Sequence, residues 1–234
     1  MENSLLLGID TCGPTGSVAL GRVTAGAVEM LGERELAGRS YSSTLSAALR
    51  QLVGEAGLRL ADLTGVVVVH GPGSFTGVRV GVSSAMGLAE GLGLSVVAIS
   101  RLEVLAVKAG VASAALDAHR DEVFLRLAEG AGSAEELLAG AEELAAVDSV
   151  PERVAVCDEA AARLLAAAWP SVEMARVAAP LASDALNLGA QCFANGGALN
   201  AAQLDGHYLR RSDAEIFGDR DEAAKAAASG AVQP

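Results

Sequence analysis

The chain has 234 residues, 51% hydrophobic, 20% charged and 3% aromatic, and 17 basic against 29 acidic side chains give a formal net charge of -12. That length holds one large domain or two small ones with a real core, and the apolar content excludes a disordered chain. The purest apolar stretch, around Val66 to Val69, is far short of the ~20 residues of a membrane span, and the acid excess argues against a protein that grips nucleic acid unaided. MENSLLLGID has neither a basic start nor a cleavage site, so no export signal is expected and the setting is read as soluble and cytoplasmic. Cys12, Cys157 and Cys192 lie far apart with no Cys-x-x-Cys pair, which supports neither a zinc knuckle nor a disulfide framework.

Leu5 to Asp10 is a short apolar run ending in a carboxylate, the pattern of a buried strand. Turn residues at 13–16 and 24–27 separate it from strands starting at Ser17 and spanning Val28 to Glu35, a three-strand antiparallel meander. The period then changes. Leu45, Ala48, Leu49, Leu52, Val53 and Ala56 fall on one face of a helix over 42–56, which Gly57 stops. Val66 to Val69 is β-branched throughout and reads as a parallel strand buried on both faces. After the turn 70–74, a helix is expected over 75–91, a strand over 95–99 and a helix over 101–109.

A related but weaker cycle follows. Segments 111–116 and 122–127 read as strands around the turn 117–121, and 135–147 as a helix interrupted by Gly140. Val154 to Cys157 reads as a strand, 159–169 and 183–194 as helices, and 212–234 as a poorly ordered tail. The expected units are 1–105, 106–211 and the tail 212–234.

The segment His70-Gly71-Pro72-Gly73-Ser74-Phe75-Thr76-Gly77 combines a glycine-rich turn with the start of a helix, which suits anion binding through unpaired N–H groups. The plainer alternative is a cap, with Ser74 or Thr76 accepting from the backbone. It is neither a Walker A loop nor GxGxxG in its usual register. Three glycines on the following helix, Gly77, Gly81 and Gly87, each cost about 1 kcal/mol relative to alanine, so close approach by another element is expected. Asp10 suits magnesium held through water and phosphate, or equally a turn cap. His70, His119 and His207 are far apart, no His-x-x-x-His occurs, and no GxSxG elbow is present.

The N-terminal Leu-Gly-Ile-Asp-Thr, the run from Gly71 to Gly81 (GPGSFTGVRVG), the segment Asp117 to Phe124 and the late Tyr208-Leu209-Arg210 together resemble the bacterial TsaB (YeaZ) family. The GPGSFTG stretch is the specific part; the resemblance is good over about the first 125 residues and thin from 130 to 200. It implies an α/β, actin/sugar-kinase/Hsp70-like fold of two RNase H-like lobes with mixed sheets flanked by helices. It also implies a non-catalytic subunit that binds and activates its paralogue TsaD for N6-threonylcarbamoylation of the adenosine 3′ of the anticodon in ANN-decoding tRNAs.

TsaE joins that pair, a homodimer forms when the chain is alone, and tRNA is reached only through the complex. The implied docking seam is a bundle of the helices 42–56 and 75–91, with Leu45, Ala48, Leu49, Leu52, Thr76, Gly77, Val80, Gly81, Ser84 and Leu88 at the interface. Leu49→Asp or Gly81→Trp is then expected to weaken docking while sparing the fold. Where the family often has a His-Ser-Glu-like start to the first of these helices, this chain has Tyr41-Ser42-Ser43-Thr44. No catalytic or metal residue is assigned and no intrinsic cofactor is expected. A degenerate nucleotide or anion site falls at Asp10, Thr11, Gly73 and Ser74, with ATP or ADP and magnesium at a site shared with the partners. The alternatives are an ATPase or kinase of the same fold, using Asp10 and the 71–77 loop, and a peptidase-like hydrolase.

Overall fold

The computed structural model describes residues 3–24, 26–38, 40–128 and 134–210; the expected tail at 212–234 lies outside them. In chain order the elements are β1 (Ser4–Asp10), β2 (Thr15–Thr24), β3 (Ala27–Ala37), α1 (Tyr41–Glu55), β4 (Gly65–Val69), α2 (Phe75–Leu92), β5 (Ser95–Ile99) and α3 (Arg101–Ala109). Then come β6 (Ser113–His119), β7 (Glu122–Ala128), β8 (Ala134–Ala139), α4 (Ala141–Ala145), β9 (Arg153–Val156), α5 (Glu159–Ala168), β10 (Glu173–Arg176) and α6 (Ala182–Ala194).

Two five-stranded sheets form, ordered β3-β2-β1-β4-β5 and β8-β7-β6-β9-β10. In each, a three-strand antiparallel meander is extended by two parallel strands. The second cycle therefore repeats the first strand for strand, giving two RNase H-like lobes. β4 illustrates the cause. All five of its residues are buried between parallel neighbours, the environment that selects an unbroken valine run.

Two strands depart from the sequence expectation. Residues 134–139 pair along β7 from Val123–Ala139 to Ala128–Ala134, although Ala and Glu favour a helix there. The sheet edge overrides that propensity, and Gly140 marks the corner into α4 rather than a break within one helix. The segment Glu-Met-Ala-Arg of β10 carries no β-branched residue and becomes a strand by adding in parallel beside β9.

The helices cross over between lobes. One face of the first sheet carries α1 and α2, and Gly81 of α2 lies over Ile9. The other face carries α6, where a Cβ on Gly8 would meet Ala182 O at 2.9 Å and the Leu186 side chain at 3.0 Å. The N-terminal amides of α6 are capped from the first sheet, since Ser17 Oγ accepts from Ala182 N at 2.7 Å and Glu33 Oε1 from Ser183 N at 2.9 Å. Ala182, Ala185, Leu186 and Ala190, followed by Ala201 and Leu204, thus join the first core. Conversely, Leu102, Leu105 and Ala106 of α3 pack on Ala114, Leu116 and Ala155 of the second sheet. Lys108 of α3 and Asp184 of α6 join the two crossing helices at 2.7 Å. The expected border at 105/106 consequently cuts through α3, and the expected unit 106–211 loses α6 to the first lobe. Both helices close a sheet that is distant in sequence.

Candidate functional site

A cleft of about 1040 Å³ opens between the lobes. Its floor is the end of β1 and the start of α3, with Cys12, Arg101 and Cys157; one wall is the 72–80 loop and helix start, and the other is the β6–β7 turn with Phe124.

Asp10 sits at the closed end of β1 with 1% of its surface exposed. Its Oδ1 accepts from Cys12 N at 2.8 Å, the turn-capping geometry, and its Oδ2 faces Arg101 Nε at 3.5 Å. Neither Asp10 Oδ2 nor Arg101 Nε has a hydrogen-bond partner. Burial is the largest influence and alone would lower the Arg101 pKa, but the Asp10 charge together with smaller attractions from Cys12 and Cys157 outweighs it, and the guanidinium is held above its usual range. Burial, and then the Asp10 charge, push the Cys12 thiol well up, so it is a poor nucleophile. The same two causes push the Tyr41 phenol up to about 12, and its hydroxyl donates to Gly13 O at 2.8 Å.

These partners do not fit a magnesium site at Asp10. One carboxylate oxygen is committed to the backbone, the other confronts a fixed guanidinium, and hydrated Mg²⁺ needs room for several waters. Among the described residues no group of three or more His, Cys, Asp or Glu side chains could hold a metal ion. Thr11 is also sealed, its hydroxyl donating to Gly77 O at 2.7 Å. Only Gly73 and Ser74 of the expected anion residues reach the cleft wall, and Ser74 Oγ caps α2 by accepting from Gly77 N at 3.3 Å. Sequence reasoning missed Arg101: one arginine at the start of a helical period carries no local sign that the fold will bury it against a residue ninety positions away.

Above this floor, residues 205–210 strap the lobes together. His207 N donates to His70 O at 2.7 Å, and the two imidazoles stack with centroids 5.4 Å apart. Tyr208 leans on Phe75 at 5.2 Å, while Arg210 donates to Ala118 O at 2.5 Å and pairs with Glu122. Glu136 of β8 accepts from Ser100 Oγ at 2.7 Å and from Arg126 at 2.7 Å, and lies 2.8 Å from His207 Nε2. The carboxylate stands between the serine and the imidazole, so this cluster is not the hydroxyl-on-imidazole arrangement of a hydrolase.

The expected docking residues divide in two. Leu45, Ala48, Leu49 and Leu52 are buried, packed with β2 and β3 in the chain's own core; their helical periodicity reported that core. Gly77 and Gly81 are buried as well: a Cβ on Gly77 would run into Thr11 O, and one on Gly81 would lie 2.5 Å from Thr11 Oγ1. Leu49→Asp and Gly81→Trp would therefore break the first lobe rather than report on docking. Thr76 is exposed, and Val80, Ser84 and Leu88 are half-buried, forming an i, i+4 row along α2. Beside them Gly87 and Gly91 are exposed, and a Cβ on either would meet nothing within 4 Å.

Two RNase H-like lobes closing on a cleft define the two-lobed class to which actin, sugar kinases and Hsp70 belong. The family model for TsaD, tRNA N6-adenosine threonylcarbamoyltransferase, matches residues 34–180. The tRNA threonylcarbamoyladenosine biosynthesis protein TsaB of Haemophilus influenzae is 37% identical over 130 residues, 53% of each chain. The tRNA N6-adenosine threonylcarbamoyltransferase of Paracoccus denitrificans is 43% identical over 68 residues, 29% of this chain and 19% of that one. A Pseudomonas aeruginosa crystal structure, of an uncharacterized protein with similarity to peptidase YeaZ, superposes with a TM-score of 0.72 at 30% identity, covering 88% of this chain and all of that one. The chain belongs to the wider TsaD family and, within it, to the TsaB/YeaZ group. It spans about half the length of the curated TsaB relatives it matches.

Proposed function

We propose that this chain is the non-catalytic subunit that binds and activates a TsaD-type transferase for N6-threonylcarbamoylation of the adenosine 3′ of the anticodon in ANN-decoding tRNAs. The observation that carries the reading is the outer face of α2. Gly87 and Gly91 are exposed with open space where a Cβ would stand, so the chain's own packing gives no reason for their helix penalty of about 1 kcal/mol each. A partner helix approaching closely along Thr76, Val80, Ser84 and Leu88 supplies that reason. The sealed Asp10 supports a subunit that leaves the chemistry to its partner, and the net charge of -12 supports contact with tRNA only through the complex.

In this reading TsaD is the principal partner in a heterodimer, TsaE joins the pair, the same face serves a homodimer when the chain is alone, and the setting is cytoplasmic. Among the described residues no helix is long and apolar enough to cross a membrane.

Reconstitution of TsaD, TsaE, threonylcarbamoyl-adenylate and tRNA with and without this chain tests the proposal. Modification should require the chain, and Gly87→Leu, which projects into open space beside the proposed seam, should abolish co-elution with TsaD while leaving the chain folded. Full-rate modification without the chain, or modification by this chain alone, would overturn it.

A further inference from the structure

We propose that the β6–β7 turn is a strained switch in the cleft wall, held in its left-handed form by Arg210 at the end of the strap. His119, Arg120 and Asp121 have φ of 60°, 59° and 58°, three consecutive residues in the left-handed region and none of them glycine. An antiparallel connection this short needs positive φ, which Asn-Gly, Asp-Gly or Gly-Gly normally supply. Here each residue instead sets a Cβ against the following carbonyl oxygen. Such a run persists only where its surroundings over-determine it.

Two side chains do so. Asp117 stands at the bulge where β6 leaves register with β7, and works from within the turn. Its Oδ1 accepts from His119 N at 2.7 Å, and its Oδ2 lies 2.9 Å from His119 Nδ1. Arg210 works from outside, 91 positions from His119. Its guanidinium donates to Ala118 O at 2.5 Å, to His119 O at 3.3 Å and to the Glu122 carboxylate. The planar fork thus spans two successive carbonyls and a carboxylate at once, which a single point charge cannot do.

The turn and the strap face the same cavity. Asp117, Ala118, His119 and Arg120 line the cleft, and the strap that carries Arg210 is also pinned to His70 and Phe75 of the first lobe. Strap and wall therefore share two states. With Arg210 seated, the turn is clasped in its left-handed form; with the strap displaced, it relaxes toward ordinary right-handed geometry. The exposed side chains of His119 and Arg120 move with it, and the cleft wall changes shape.

Hydrogen exchange of the full chain, read over residues 117–124 with β1 and β4 as internal references, tests this. Arg210→Ala should speed exchange over 117–124 at least about tenfold and leave the references unchanged. Arg210→Lys should behave like Arg210→Ala, since an ammonium keeps the charge beside Glu122 but not the fork across two carbonyls. Relieving the strain, Arg120→Gly with Asp121→Gly, should raise the melting temperature while Arg210 is present and restore slow exchange when Arg210→Ala is added. The melting arm holds even where Arg210→Ala lowers overall stability. Unchanged exchange in Arg210→Ala, an increase spread equally over the references, or wild-type exchange in Arg210→Lys would each overturn the proposal. So would a glycine pair that melts lower than wild type or fails to restore protection.

Discussion

His207 Nε2 lies 2.8 Å from Glu136 Oε2, joining the strap over the cleft to the edge strand of the second sheet. The same oxygen accepts from Ser100 Oγ at 2.7 Å, so one carboxylate ties together three segments far apart in the chain.

Removing that carboxylate leaves the Ser100 hydroxyl and the largely buried Arg126 guanidinium without their partner. Glu136→Ala should cost about 3 kcal/mol in chemical denaturation at pH 7. Burial by itself would raise the Glu136 pKa, but hydrogen bonds from His207, Ser100 and Arg126 outweigh it and hold the group below its ordinary value. Its contribution is thus complete above the ordinary carboxylate value of about 4.3 and disappears as the pH falls through the lower folded value. The wild type should lose stability over that acid range, and the variant should lose less.

His70 gives a separate, higher window. Burial is the main cause that depresses its pKa, against a hydrogen bond to Asp205 O that opposes the shift. Below about pH 6.5 the unfolded chain takes up a proton on this ring that the folded chain resists. Stability should fall as the pH drops from 7 toward 5, and His70→Gln should flatten that part of the profile. Unfolding curves at half-unit intervals separate the two windows.

The glycines of α2 should respond in opposite ways. Gly81→Ala sets a Cβ 2.5 Å from Thr11 Oγ1 and should destabilise by about 1–3 kcal/mol. Gly87→Ala meets open space and should stabilise the isolated chain by up to about 1 kcal/mol. If α2 docks as proposed, Gly87→Leu should melt no lower than wild type and yet fail to co-elute with TsaD.

Leu186 is fully buried and packs against Gly8 and Gly21 of the first sheet. Leu186→Ala should cost about 2–5 kcal/mol. Hydrogen exchange should show the loss first in β1 and β2, although the substitution is more than 160 residues away in sequence.

Much of this architecture was legible in the sequence. The meander, the valine strand and the helix period over 42–56 are local patterns, and each formed where its pattern pointed. The glycine-rich turn likewise marked the start of α2, and Ser74 proved to be its cap. The failures were non-local. Ala and Glu at 134–139 became an edge strand only because β7 offered a ladder. The apolar face of α1 could not show, from periodicity alone, whether it met its own sheet or another chain. Asp10 read equally as a magnesium ligand or a turn cap, and only the fold decided for the cap by setting Arg101 beside it, a pairing fixed by the packing of α3 on the second sheet.

The return of α6 to the first sheet has a consequence for biosynthesis. As the nascent chain leaves the ribosome, the meander and its first helices emerge long before the segment that covers their second face. Until about residue 190 has cleared the exit tunnel, an apolar sheet surface stays open to water, a target for chaperones and for aggregation. The two lobes therefore cannot mature one after the other; the earlier one waits for α6, which is made after the whole second sheet.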